Sequence, residues 1–481
     1  MLRLKAKPSD STISFFIDTR YNGTVQLLIL GIMPLFKFIK KILRHQTPIA
    51  TAPSDDHRIP RSQHNISKTE ISSNALQVIN QINHHGYQAY LVGGSVRDLL
   101  LRKSPKDYDV ATNATPQQIK KLFRNARIIG RRFKLVHITF QREIIEVSTF
   151  RSNTPDAQLQ TNDDGMVIRD NVYGTLEQDA WRRDFTINSL YYDIKNGSIV
   201  DYTKGFGDVQ SKQIKMIGDP VLRYQEDPVR MLRAIRFAAK LHFDISEETA
   251  KPLNTLGHLI QQVSNARLFD EVTKLWQCHE SNRAFNLLMH YDLFSKLFPW
   301  THQSFQSQPH AIKLIDIALQ NTDLRMKEQK PTTPAFIYAI LLWFPMRELA
   351  SKLQEQEELH PLAALEKAMG QVLLDQCRLI AIPKRFTQII REIWLLQYRF
   401  SKRIGLKPIQ LMQHARFRAA YDFLGIRALA GDESIELADW WTRFQDVDET
   451  QQLVMIEELH QSKPPKKKRR PKKASNPPAS E

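Results

Sequence analysis

Asp107 and Asp109 stand one residue apart in the stretch KDYDV (residues 106–110), in a 481-residue chain whose formal net charge is +17. In an extended backbone successive side chains alternate faces, so both carboxylates point one way while Tyr108 and Val110 point the other. Their Cα atoms then lie roughly 6.6 Å apart, two rises of about 3.3 Å. That spacing lets both acids reach one hard divalent cation, for which magnesium is the simplest choice. Like charges on one face repel unless something positive sits between them. A lone Asp-x-Asp is also a common pattern on ordinary surfaces, so its neighbours must decide.

Two neighbours bear on the question. The stretch LVGGSVRD sets Gly93, Gly94 and Ser95 between a strand-like run and a helix-like run. Glycines allow close approach of the backbone to a phosphate, and a helix N-terminus supplies free N–H groups, although Gly-Gly is equally a plain tight turn. A second metal calls for a third carboxylate from an adjacent strand. Glu146, flanked by Ile145 and Val147, is the candidate, because charges seldom stay buried unpaired. Glu143, close to a polar turn, reads as a solvated acid.

These residues have to be held by elements that the chain itself declares. Serine, asparagine and a periodic Leu76, Ile79, Ile82 predict a helix from Ser72 that stops at Gly86. YQAYLVGGSVRDLLL predicts strand, glycine turn and helix. FKLVHITFQREIIEVSTF and YYDIKNGSIVDY predict hairpins, the second with a type I′ turn at Asn196-Gly197. Residues 153–170 are polar and predicted loose. Beyond Pro228 the period is helical to about residue 460. The fold class expected is therefore α+β, with a head built on a small mixed or antiparallel sheet and a helical remainder. The predicted divisions are an N-terminal extension and linker over 1–65, a catalytic head over 66–217, a helical neck over 218–300, a helical body over 301–460 and a disordered basic tail over 461–481.

Composition sets the outer bounds. Forty-two per cent apolar and a quarter charged residues suit a soluble globular protein, and 68 Lys+Arg against 51 Asp+Glu favour a polyanionic partner. Cys278 and Cys377 have no metal-ligand spacing, which suits a reducing compartment. The apolar run 24–36 is too short for a membrane span and is broken by Pro34; its charge follows rather than precedes it, unlike a secretory signal. Met33 offers a second start. Residues 34–44 read as a basic amphipathic helix suited to weak contact with a membrane surface or RNA, or as a frayed solvated arm. The last nineteen residues hold eight positive charges against one glutamate.

LVGGSVRD, KDYDVATNATP, IIEVSTFR, RRDFTINSL and EDPVRMLRAIRFAAKL occur in the order and rough spacing of the class II nucleotidyltransferase superfamily, which includes bacterial poly(A) polymerases and tRNA CCA-adding enzymes. LFRNARIIGRRFKLVHI, AIPKRF near residue 381 and the Lys/Arg-rich end resemble the poly(A) polymerase branch. The resemblance spans roughly residues 58–473. It implies template-independent transfer of AMP from ATP to RNA 3′ ends with loss of pyrophosphate, served by two Mg²⁺ ions about 3.5–4 Å apart, in mRNA decay or processing in the cytoplasm.

Under that resemblance Asp107, Asp109 and Glu146 hold metal, and Asp107, Asp109 and Asp184 are the catalytic acids. Gly93, Gly94, Ser95, Arg97, Arg183, Asp227, Arg230 and Arg233 bind nucleotide, with Asp227 and Arg230 facing the base. Asp227 before Pro228 is by itself a good helix N-cap, and Arg183–Asp184 is by itself a plausible structural ion pair. Arg131, Arg132 and Lys134, with Lys467, Lys468, Arg469 and Arg470 of the tail, are expected on RNA; Arg124 and Arg127 belong to the same basic set. A CCA-adding enzyme is the near alternative, and a non-catalytic RNA-binding protein the remote one. Partners implied are RNA 3′ ends, ATP and an RNA-decay machinery; no repeat or heptad indicates an obligate oligomer.

Overall fold

The structure, a computed structural model, describes residues 57–130, 134–152, 160–161, 167–169 and 172–461. The amphipathic segment 34–44, Arg131, Arg132 and the tail residues Lys467, Lys468, Arg469 and Arg470 lie outside the described residues.

The described residues open on β1 (Arg58–Ile59), and the predicted helix follows as α1 (Ser73–His84) with Ala75, Val78, Ile79 and Ile82 buried. Then come β2 (Ala89–Val92), α2 (Gly94–Leu100), β3 (Asp109–Thr112), α3 (Pro116–Leu122), β4 (Ala126–Ile129), β5 (Leu135–Thr139) and β6 (Ile144–Thr149). A short pair, β7 (Gln160–Thr161) and β8 (Val167–Arg169), precedes α4 (Leu176–Arg182), β9 (Leu190–Asp193) and β10 (Ser198–Asp201). Eight strands form one sheet in the order β1-β10-β9-β2-β3-β6-β5-β4. All its pairings are antiparallel except β3 with β6. This is the mixed sheet of an α+β head.

Three local readings are corrected. Residues 58–59, assigned to a linker, are an edge strand on β10, because the polar run around them hides a two-residue pairing too short to show a period. The β9–β10 connection is not a two-residue type I′ turn: Ser198 pairs with Asp193, leaving a four-residue loop in which only Gly197 takes a positive φ (71°). Within the stretch 153–170 read as loose, residues 160–161 and 167–169 pair as β7 and β8, and the other residues of that stretch lie outside the described residues.

The two faces of the sheet are covered unequally. Leu91, Val110, Val136, Ile138, Ile145 and Val147 join a large core that runs on through the helices without a break. On the other face Tyr90, Val92, Ala111, Phe150, Tyr191 and Val200 pack with Ala180 of α4 into a small cluster. Asp109 and Glu146 share the parity of this second face, at the margin of what α4 covers. Alternation alone decides this: Val110 and Val147 take the large core, so their neighbours cannot.

After β10 come α5 (Gly205–Gln210), α6 (Pro220–Glu226), α7 (Val229–Leu241), α8 (Glu247–Leu256), α9 (Asn265–Trp276) and α10 (Ser281–His290), with further helices to Gln461. β11 (Gln213–Ile214) and β12 (Asp244–Ile245) form a small parallel pair that ties the start of this region together. A Cβ on Gly205 would stand 2.1 Å from Thr186 O, so only glycine lets α5 lie against that segment. α7 buries Val229, Leu232 and Ile235 and packs on α9 and α10. Arg230, Arg233, Arg236 and Lys240 form its half-buried opposite stripe. No described helix is long and apolar enough to cross a membrane.

Candidate active site

Asp107 precedes β3 and is exposed; Asp109 opens β3 and is half-buried, while Tyr108 and Val110 are buried. The alternation expected of an extended DYD is therefore present. Tyr108 donates its hydroxyl to Glu70 O at 3.1 Å, which anchors the segment from the core side and leaves both acids facing out. Val92 pairs with Asp109, Asp109 with Glu146, and Glu146 with His137 on adjacent strands. Asp109 and Glu146 are thus neighbours across the one parallel pairing of the sheet.

Burial pushes the Asp109 carboxyl up to about 6, helped by the negative charges of Glu146 and Asp107 and opposed by Arg183. Such a field is costly and a cation relieves it. The donor set is entirely carboxylate oxygen, which suits a hard ion such as magnesium. Among the described residues no three acid, histidine or cysteine side chains stand close enough to hold a metal as they are. Glu146 is turned towards β5, where its Oε2 lies 3.3 Å from His137 Nε2.

The glycine loop closes the site from β2. Gly93 takes φ 74°, which an L side chain rarely adopts, and a Cβ there would come within 3.5 Å of Arg183 Nη1 and Asn188 O. Ser95 is buried and donates its hydroxyl to Val92 O at 3.1 Å. Arg97 is 3% exposed and is held by Asp98 Oδ1 and Asn188 Oδ1 beneath the loop. These two side chains build the loop, so what faces outward is its backbone.

Arg183 is positioned by residues that its motif did not single out. Its Nε donates to Tyr191 Oη at 2.8 Å, and its Nη2 to Asp179 Oδ2 at 3.1 Å. Tyr191 in turn donates to Asp179 Oδ2 at 2.7 Å. Burial works against the Arg183 charge, but Tyr191 and Asp179 outweigh it and hold the guanidinium above its ordinary value. The i,i+4 spacing of Asp179 and Arg183 was a readable signal; Tyr191, eight residues on in β9, was not.

Asp184 is 8% exposed. Its Oδ1 accepts the Phe185 N–H at 3.0 Å, and its Oδ2 lies 2.9 Å from Arg233 Nη1, an ion contact whose N–H is not aimed at the oxygen. Burial works to raise its carboxyl; Arg233 and Arg230 outweigh it and hold the group below the usual range. The charges that act most on Asp184 are thus those of α7, and those that act most on Asp109 are Glu146, Arg183 and Asp107.

Asp227 does not cap α7 with its side chain. Its carboxylate accepts two hydrogen bonds from Arg267 of α9, at 2.8 and 2.7 Å, and only its carbonyl receives the Arg230 N–H. A bidentate arginine outcompetes a single backbone N–H for a carboxylate. Arg230 donates to Arg223 O at 2.7 Å and to Glu226 Oε2 at 2.9 Å. Arg182, half-buried beside Arg151, Arg223 and Arg230, is pulled down to about 10, chiefly by burial and then by those neighbouring cations. Arginines thus crowd the junction of α4, α6 and α7, as an anion-binding wall would require. Lys134 is exposed at the start of β5. Glu143 is not a solvated acid: its Oε2 accepts from Ser72 Oγ and Asn74 Nδ2, both at 2.7 Å, at the start of α1.

Comparisons with known proteins give the relatives of this chain. Three family models match: "Poly A polymerase head domain" over residues 89–215, "Probable RNA and SrmB- binding site of polymerase A" over 242–305, and "Polymerase A arginine-rich C-terminus" over 357–474. The chain is 45% identical over 441 residues to poly(A) polymerase I of Salmonella typhimurium, covering 89% of this chain and 95% of that one. It is 36% identical to the CCA-adding enzyme of Bacillus pumilus over 225 residues, covering 47% and 55%. The fold resembles the crystal structure of the Bacillus stearothermophilus CCA-adding enzyme in complex with CTP, with TM-score 0.53 and 24% identity over 77% of this chain and 80% of that one.

Proposed function

The chain belongs to the poly(A) polymerase family, and from that premise we propose how its residues share the addition of AMP from ATP to RNA 3′ ends. The observation that carries the assignment is the adjacency of Asp109 and Glu146 on parallel strands, with Asp107 on the same side and the Gly93 loop next to them. Polyadenylation is favoured over CCA addition because the sequence likeness to poly(A) polymerases runs through neck and body, whereas the sequence likeness to CCA-adding enzymes covers about half of either chain.

Asp107, Asp109 and Glu146 would hold magnesium. When bound, a pair of such ions acidifies an attacking hydroxyl and steadies the charge of a triphosphate. The chain's own part is positioning. Gly93 and Gly94 let the backbone approach the phosphates, and Arg183, held rigid by Asp179 and Tyr191, sits beside them. Arg230 and Arg233 line the α7 wall. Asp184 acts through Arg233 and Arg230, whose charges it balances at the seam. Asp227, clamped by Arg267, presents a fixed edge to the adenine base, so side chains replace a template strand.

Residues 242–305, matched by the RNA- and SrmB-binding family model, are the proposed meeting place with RNA and a protein partner. A single-stranded adenylate tail gives exonucleases an unstructured 3′ end, which ties the activity to RNA decay. Two unpaired cysteines suit a reducing cytoplasm. The test is an oligoribonucleotide lacking a CC end, offered with magnesium and each nucleoside triphosphate separately. A ladder growing only with ATP is expected. A single adenosine added only to tRNA ending in CC overturns the assignment in favour of end repair; bound RNA with no incorporation overturns it in favour of a binding protein.

A second expectation concerns base choice. Arg267→Ala frees Asp227 and removes hydrogen bonds between charged groups worth about 1.5–3 kcal/mol. The kcat/KM for ATP falls roughly 10–100-fold while use of the other nucleotides rises relative to it. Arg267→Lys does not restore selectivity, because an ammonium cannot make the fork. Unchanged ratios among the four nucleotides would remove Asp227 from base recognition.

A further inference from the structure

His137 on the acid-bearing face has no part in the roles above. It stands in register with Glu146, which stands in register with Asp109. Residues paired directly across strands project to one face, so the three form a row across β3, β6 and β5. Arg127 on β4 extends the row as the partner of His137. His137 Nε2 is 3.3 Å from Glu146 Oε2. A carboxylate offers only acceptors, so Nε2 carries the hydrogen. The two side chains are 30% and 40% exposed, and contacts so open to water add little to stability. What the contact fixes is direction: one oxygen of Glu146 is engaged by β5, and Oε1 has no hydrogen-bond partner among the described residues.

We propose that His137 is a positioning residue for adenylate transfer, holding Glu146 by one oxygen so that the other is presented to a divalent cation shared with Asp109 and Asp107. The inference rests on the reading of those three acids as the metal-holding set. An imidazole N–H on a ligating carboxylate is how outer partners orient metal ligands, and their removal costs 10–100-fold in metal affinity. No other described side chain is bonded to the Glu146 carboxylate, so β5 is the element that aims it.

The test uses the full chain and Mn²⁺ alone as probe, with free Mn²⁺ read by electron paramagnetic resonance. His137→Ala is expected to weaken Mn²⁺ binding roughly 10–100-fold. His137→Gln, whose amide nitrogen donates at similar reach, returns affinity close to that of the parent. His137→Phe keeps the ring volume without the donor and reads the same way as alanine should that variant fail to fold. In the Glu146→Gln background, removing His137 costs nothing further, as expected of residues acting through one another. In the transfer assay the variants need more magnesium but approach parental turnover at saturation. Parental affinity in His137→Ala and His137→Phe, or a loss that glutamine does not repair, overturns the inference. If Glu146→Gln also binds Mn²⁺ like the parent, the metal-holding reading itself fails and takes the inference with it.

Discussion

Asp109→Asn is expected to transfer AMP on the order of 10³-fold more slowly than the parent and, in the absence of divalent cations, to melt at a higher temperature. The two effects have one cause. Asp109 is pushed up to about 6 by burial and by Glu146 and Asp107, so at neutral pH the folded protein keeps a charge in a place that disfavours it. The sign follows from linkage. A carboxyl whose folded value lies above its unfolded value of 3.8 destabilises the fold above about pH 6, and the penalty fades as pH falls towards 4. Two units correspond to roughly 2–3 kcal/mol at most, or a few degrees in Tm for a chain of this size. The variant's advantage should therefore be present at pH 7.5, shrink through pH 6 and vanish near pH 4. Magnesium should raise the parent's Tm and leave the variant's nearly unmoved. Thermal melts with and without magnesium, beside single-turnover AMP transfer, check all of this. A variant that melts lower at pH 7.5, or that stays within tenfold of parental turnover, removes Asp109 from the cation site.

How far these features could be read in advance depends on the distance in sequence over which each is made. The DYD alternation, the glycine turn and the α1 stripe are fixed within a dozen residues, and backbone periodicity is enough to place them. The Asp109–Glu146 pairing is parallel and joins segments far apart in sequence; only the need for a third carboxylate nominated Glu146. Pairing at longer range left no local trace. Arg267 lies 40 residues beyond Asp227, so the local rule that assigns aspartate before proline to a cap gave way to a better partner from α9. Glu143 likewise reads as a turn acid until α1 brings Ser72 and Asn74 to it. The β9–β10 turn failed for another reason. Asp193 Oδ1 accepts the Lys195 N–H at 2.9 Å and Asn196 Oδ1 accepts the Ser198 N–H at 3.0 Å, so side chains that compete for the backbone end the ladder early and hold a four-residue loop.

The largest stability effect is expected at the seam between sheet and helices, from Arg233→Ala. Asp184 is buried with Arg233 as its nearest cation and Arg230 behind it. Removing one partner of a buried ion pair leaves a charge without compensation and costs about 3–5 kcal/mol. The Arg233 side chain is 35% exposed, so water replaces part of the loss, and about 2–3 kcal/mol is the better expectation. For a chain of this size that lowers Tm by about 2–3 °C. In the parent, Asp184 is held below its ordinary value, so its contribution is full at neutral pH and is lost only in acid as the carboxyl protonates. Without Arg233, burial dominates and pushes the same carboxyl up. The gap between variant and parent is then widest at neutral pH and narrows on acidification. Asp184→Asn in the Arg233→Ala background should recover part of the loss, since no uncompensated charge is left. Well below the melting temperature the two variants separate the roles open to Asp184. A side chain that acts by balancing the charges of Arg233 and Arg230 gives both single variants the same rise in KM for ATP with most of kcat retained. A collapse of kcat in Asp184→Asn alone would instead put its carboxylate at the reacting atoms.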